Sequence, residues 1–260
     1  MLPAPSDATT LIPLAAFGLV FGSFVTALSY RLPRGESIAH GRSRCPACGQ
    51  TLTAADLVPV LSWVAHRGAC RHCGSKISWR YPAIELASAG LFVAAGLCAA
   101  DFLHLVLLVA MVPVMMTLAV IDVEHRRVPN ILVLILAVLA LAWRWNGDQA
   151  VLTGVATAAA AGFAGMILEA GYKRLTGKTG LGMGDTKLAA VAGVALAVGP
   201  FLLFLTVAGV LGLILGGIWR VIMPRPHDTF PFAPAILMAY GLSLAVGDTI
   251  LQRLVIFLSG

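Results

Sequence analysis

Eight apolar stretches punctuate the chain, at roughly 11–30, 82–100, 103–121, 130–146, 150–170, 186–199, 200–221 and 233–257. A helix that crosses a bilayer needs about 20 mostly apolar residues. The pattern predicts an all-α polytopic membrane protein with about eight transmembrane helices. The first stretch begins at Leu11 and runs into Tyr30 and Arg31. It is too long and glycine-rich for a cleaved signal, and it lacks a basic start and a small-residue cleavage site, so it reads as a retained span. The sixth is short for a crossing, and Gly199-Pro200 separates it from the seventh. Length favours two spans there, since 186–221 is too long for one. Alanine-rich 156–161 suits close helix packing. Between the first and second spans lies one polar insert. The chain divides accordingly into a first span (1–30), an insert able to form a soluble subdomain (31–81) and a membrane-embedded core (82–260).

Composition agrees. Of 260 residues, 59% are hydrophobic and 12% charged, against about 25% charged in soluble domains. The net charge of +6 raises the question of nucleic acid, but topology accounts for it. With the N-terminus outside the cytoplasm, sixteen of eighteen Lys and Arg fall on cytoplasmic segments, eight of them within 31–81. Only Arg144 and Arg253 fall outside. Basic residues concentrate on cytoplasmic loops, so this orientation is favoured and no nucleic-acid partner is needed.

The insert holds Cys45-Pro46-Ala47-Cys48 and Cys70-Arg71-His72-Cys73. Two such knuckles let four thiolates converge on one tetrahedral metal, and their separation is slightly beyond that of common zinc ribbons. A subdomain of this size buries too little apolar area to be secure alone, so a structural Zn2+ makes physical sense. A reducing cytoplasm disfavours disulfides. The alternatives are a redox dithiol or four unrelated thiols. His66 and His72 read as solvent-facing, and Cys98 as packing within the second span.

Two acidic residues stand at the edges of apolar runs. Asp122 follows the run ending at Ile121, and Asp185 closes Gly182-Met183-Gly184-Asp185. In the predicted topology both emerge on the cytoplasmic side. Two carboxyls at one site share a proton: the ionised one draws a proton from water, and the protonated one polarises a scissile carbonyl. Gly182 and Gly184 allow close backbone approach. Each aspartate also has a structural reading: Asp185 as the N-cap of the sixth helix, Asp122 as the end of a span.

Together the motifs resemble the type IV prepilin peptidases, the bifunctional leader peptidase/N-methyltransferases of bacteria. The resemblance covers nearly the whole chain. It runs through Gly22-Ser23-Phe24, Tyr30-Arg31-Leu32-Pro33-Arg34-Gly35-Glu36-Ser37, both cysteine knuckles, Pro59-Val60-Leu61-Ser62-Trp63, and Ile77-Ser78-Trp79-Arg80-Tyr81-Pro82 on to Glu85. It continues through Asp122, Asp185-Thr186-Lys187 and Phe230-Pro231-Phe232-Ala233-Pro234. Thr26 stands where the family usually has asparagine, Ala233 where it has glycine, and Val128-Pro129-Asn130 where Leu-Pro-Asp is common.

The resemblance implies that Asp122 and Asp185 are catalytic. It implies cleavage of the basic leader of prepilins or pseudopilins, then methylation of the new N-terminus with S-adenosylmethionine. It implies a bacterial inner membrane, a multi-pass arrangement and an active site at the cytoplasmic face, with the insert serving methyl transfer. Glu36 and Glu85 are weak candidates for the methyltransferase region, and Gly182, Gly184 and Lys187 have supporting roles. Two rivals stand: a peptidase without methyl transfer, since no glycine-rich fingerprint for the methyl donor appears, and a transporter or assembly component whose aspartates bind ions.

Overall fold

A computed structural model describes residues 7–37, 41–146, 150–177, 180, 182–222 and 230–259. Lys178 and Arg225, both part of the charge asymmetry, lie outside the described residues. The fold is helical: α1 (Ala8–Arg31), α2 (Leu61–Ala65), α3 (Arg80–Cys98), α4 (Phe102–His125), α5 (Asn130–Asn146), α6 (Val151–Thr176), α7 (Met183–Ala195), α8 (Val198–Ile222) and α9 (Ala233–Ser259). The chain forms two compact units, 1–117 and 118–260.

In the first unit α1 crosses α3 at very close range. A Cβ added at Gly18 would lie 2.6 Å from the Ala89 Cα, and one at Gly22 would lie 2.5 Å from the Glu85 Cα. These glycines are four apart on one face of α1, the small-residue spacing by which membrane helices approach. Phe21 stacks on Phe92 nearby, with centroids 5.5 Å apart. Thr26 is buried, and its hydroxyl donates to the Ser23 carbonyl at 2.7 Å, so the family's asparagine position is filled here by a side chain satisfied within its own helix. The insert rests on this pair: the Val60 N–H donates to Glu85 Oε2 at 2.7 Å, and Arg80 Nη2 donates to Ser29 Oγ at 2.8 Å.

The apolar stretches correspond to α1 and α3–α9, but eight full crossings do not follow. Among the described residues, five helices are long and apolar enough to cross a membrane: Thr9–Arg34, Arg80–Cys98, Phe102–His125, Val151–Thr176 and Val198–Ile222. Asn130–Asn146 is a shorter apolar helix, and Ala233–Gly247 is an apolar part of the longer α9. α7, with 13 residues, reaches about 20 Å at 1.5 Å per residue, short of the ~30 Å hydrocarbon layer. Its end also falls earlier than Gly199-Pro200. Leu196 is extended (φ −86°, ψ 140°), while Pro200 sits in the first turn of α8, where a missing N–H does no harm.

The end of α7 is sealed by Arg144 of α5, which is 3% exposed. Its Nη1 donates to the Val194 and Leu196 carbonyls at 3.2 and 3.1 Å, its Nε to the Ala150 carbonyl at 2.9 Å and its Nη2 to Thr153 Oγ1 at 2.5 Å. Backbone groups in an apolar layer must be satisfied from within the protein, and this guanidinium does so. α6 packs on α7 through missing side chains. A Cβ on Gly165 would strike Thr186 at 2.6 Å, and one on Gly193 would meet the Ala158 backbone at 3.0 Å. α8 meets α9 through Phe204 and Tyr240, edge to face at 6.5 Å.

Candidate active site and metal centre

Asp122 lies in the last turn of α4 and is buried. Its Oδ2 accepts the Ala233 N–H at 3.1 Å. Ala233 opens α9, and the first N–H groups of a helix have no intrahelical partner and carry the positive end of its dipole. The donor is a backbone group, so alanine serves as well as the glycine usual there. The only non-glycine residues with positive φ among those described are Val60, Arg67 and Arg126, so Ala233 bears no left-handed strain.

Asp185 occupies the third position of α7, whose N-cap is Gly182. Asp185 is therefore not the N-cap itself. Its Oδ2 instead reaches back to accept the Gly182 N–H at 3.3 Å. Burial, and then the charge of Asp122, hold its carboxyl up at about 6. The two aspartates thus share an electrostatic environment within one unit, each with one oxygen held by an N–H at the start of a helix.

The supporting residues have definite places. A Cβ on Gly184 would lie 2.6 Å from Val128 Cγ2, so this glycine seats the loop that follows α4 against α7. Lys187 Nζ donates to Asn130 Oδ1 at 2.8 Å, tying the start of α7 to the start of α5. Val128 and Asn130 carry these contacts. Sequence reasoning noted both only as departures from a motif, because their partners lie more than fifty residues away.

In the insert, the two knuckles repeat one local geometry. The Cys45 N–H donates to the Gln50 carbonyl and the Cys70 N–H to the Ser75 carbonyl, both at 2.9 Å. Gly49 and Gly74 follow, both at φ +71°, a conformation glycine adopts without strain. The four sulfurs of Cys45, Cys48, Cys70 and Cys73 lie within 4.8 Å of one another, a set able to hold a metal such as zinc. The N–H groups of Cys48 and Ala47 pull the Cys45 thiol down to about 6, whereas, against the pull of the Gln50 N–H, burial and the neighbouring sulfurs push the Cys48 thiol up to about 11, so the case for a metal rests on the convergence of the four sulfurs. Cys98 ends α3 and is exposed. Glu85 is buried in α3 against Val60, whereas Glu36 is exposed in the turn after α1. The structure joins these two by no hydrogen bond.

Fold and site define a multi-pass helical membrane protein with paired carboxyls at helix ends and a four-cysteine cluster. Residues 16–99 match the bacterial peptidase A24 N-terminal domain, and residues 108–217 match the type IV leader peptidase family. A prepilin leader peptidase/N-methyltransferase of Bacillus subtilis (strain 168) is 36% identical over 92% of this chain and 95% of that relative. One of Neisseria gonorrhoeae is 31% identical over 92% of each, and one of Aeromonas hydrophila 30% over 90% of each. The chain belongs to the type IV leader peptidase family. No solved structure matches it.

Proposed function

We propose that this protein removes the basic leader from type IV prepilins or pseudopilins and methylates the new N-terminus, with Asp122 and Asp185 as the catalytic pair. The observation that carries the reading is the pairing itself: two carboxyls from α4 and α7, one feeling the charge of the other and each steadied by a helix-start N–H. The ionised carboxylate takes a proton from water, whose oxygen attacks the scissile carbonyl carbon. The protonated carboxyl donates to the carbonyl oxygen. The C–N bond then breaks as the leaving nitrogen gains a proton from the site.

The insert 31–81 serves methyl transfer and 82–260 forms the peptidase core. Cys45, Cys48, Cys70 and Cys73 would hold a structural Zn2+, and a full set of four thiolates would give it a structural and not a catalytic role. S-adenosylmethionine, when bound, supplies the methyl group to the new amine. The concentration of Lys and Arg in 31–81 and in alternate loops supports a bacterial inner-membrane setting with the N-terminus outside and the aspartates at the cytoplasmic face.

The test is cleavage of a prepilin by purified Asp122→Asn and Asp185→Asn proteins, each confirmed folded in detergent. Loss of cleavage in either, with one zinc per chain retained, is the expected result. Cleavage by either variant would refute the dyad. Peptidase activity without incorporation of label from the methyl donor would reduce the function to proteolysis alone.

A further inference from the structure

Arg126 follows α4 directly and adopts φ +55°, the left-handed conformation for which helix ends usually recruit glycine. Its N–H donates to the Asp122 carbonyl at 2.9 Å, the bond of a simple left-handed cap. The side chain then folds back over the helix it has just left. Nη1 donates to the same Asp122 carbonyl at 3.2 Å and to the Val123 carbonyl at 3.1 Å. The guanidinium lies 4.8 Å over the ring of Trp219 on α8, and its charge acts on the Asp122 carboxylate. Trp219 Nε1 is buried without a hydrogen-bond partner among the described residues. The contact with Arg126 is made through the face of the indole.

Capping α4 does not call for this side chain, because glycine would end the helix with less strain. What the side chain adds is a link from the turn carrying Asp122 to a different helix. Asp122 is faced by Asp185 from α7, by the Ala233 N–H from α9 and by Arg126 from its own chain end. We propose that Arg126 is a positioning residue: by clamping the last turn of α4 and resting on Trp219, it sets where the Asp122 carboxyl stands between Asp185 and Ala233. This rests on the reading of Asp122 as catalytic.

The test compares cleavage kinetics and thermal unfolding of the full-length protein in detergent. Arg126→Gly removes the side chain and relieves the backbone. It should keep the melting temperature while kcat falls roughly ten- to hundredfold and KM stays within about twofold, the signature of a misplaced group. Trp219→Leu should reproduce that loss, and Trp219→Phe, which restores a face for the cation, should recover most of it. The double variant Arg126→Gly/Trp219→Leu should be no worse than either single one. Wild-type kcat in Arg126→Gly would overturn the proposal. So would wild-type kcat in Trp219→Leu, which also decides the matter if Arg126→Gly fails to fold. Asp122→Asn, run alongside, separates the two readings. If it still cleaves, the dyad falls and this proposal with it; if it is inactive while Arg126→Gly is normal, only this proposal falls.

Discussion

Asp122 and Asp185 are held by the same device. Each presents one carboxylate oxygen to a backbone N–H at the first turn of a helix, from Ala233 in one case and Gly182 in the other. The acidic residues themselves were legible from their places at the edges of apolar runs and from the family resemblance. Their donors were not, because every residue but proline carries an N–H and no side chain marks the one that is used. Asp185 also carries a thermodynamic consequence. Its ordinary value is 3.8 and burial raises it to about 6 in the fold. The unfolded chain therefore ionises it first, and folding stability falls as pH rises from about 4 through about 6. Above that range the full penalty is in place. Asp185→Asn removes it, so at pH 7 this variant should melt a few degrees higher than wild type while losing cleavage. A lower melting temperature would mean that the carboxylate stabilises the fold. For the wild type, kcat/KM should decline on the alkaline side with a midpoint at about 6, as the shared proton is lost. A rate flat across that range would contradict proton sharing.

At the scale of elements, the outcome turns on how short helices are fitted among long ones. The cysteine knuckles were legible because their geometry is local: two residues between ligands, then a glycine at positive φ. The number of crossings was less so. Apolar length marks α7 as a candidate span, yet the residue that terminates it, Arg144, belongs to α5. In sequence that arginine is merely one of two basic residues on the unexpected side. Gly184 is similar. Its neighbours in sequence invite a reading of substrate approach, but the space beside it is filled by Val128. A methyl group there must displace Val128, and overpacking of this kind costs about 1–3 kcal/mol. Gly184→Ala should lower the melting temperature, and adding Val128→Ala should restore most of the loss. A double variant as unstable as the single one would place the strain in the backbone of 184 instead.

For the whole molecule, the insert and the carboxyl pair fall in different compact units, one before and one after residue 117. On the proposed reading of the four cysteines as a zinc site, stripping the metal from the zinc-loaded protein with a strong chelator should unfold the knuckles, because so small a subdomain would depend on it. Amide exchange across 42–76 should accelerate, methyl incorporation should stop, and prepilin cleavage should persist. Loss of cleavage together with zinc would show that the peptidase depends on the insert. Arg144 bears on how the chain is made. Two of its partners, the Ala150 carbonyl and Thr153 Oγ1, follow 6 and 9 residues later, but the Val194 and Leu196 carbonyls are 50 and 52 residues further along, so α5 leaves the ribosome with a cation whose Nη1 partners have not yet been synthesised. Until α7 arrives, water, lipid headgroups or the insertion machinery must stand in for those two carbonyls. α5 is thus the segment whose entry into the membrane has to be completed retroactively, by a helix made later.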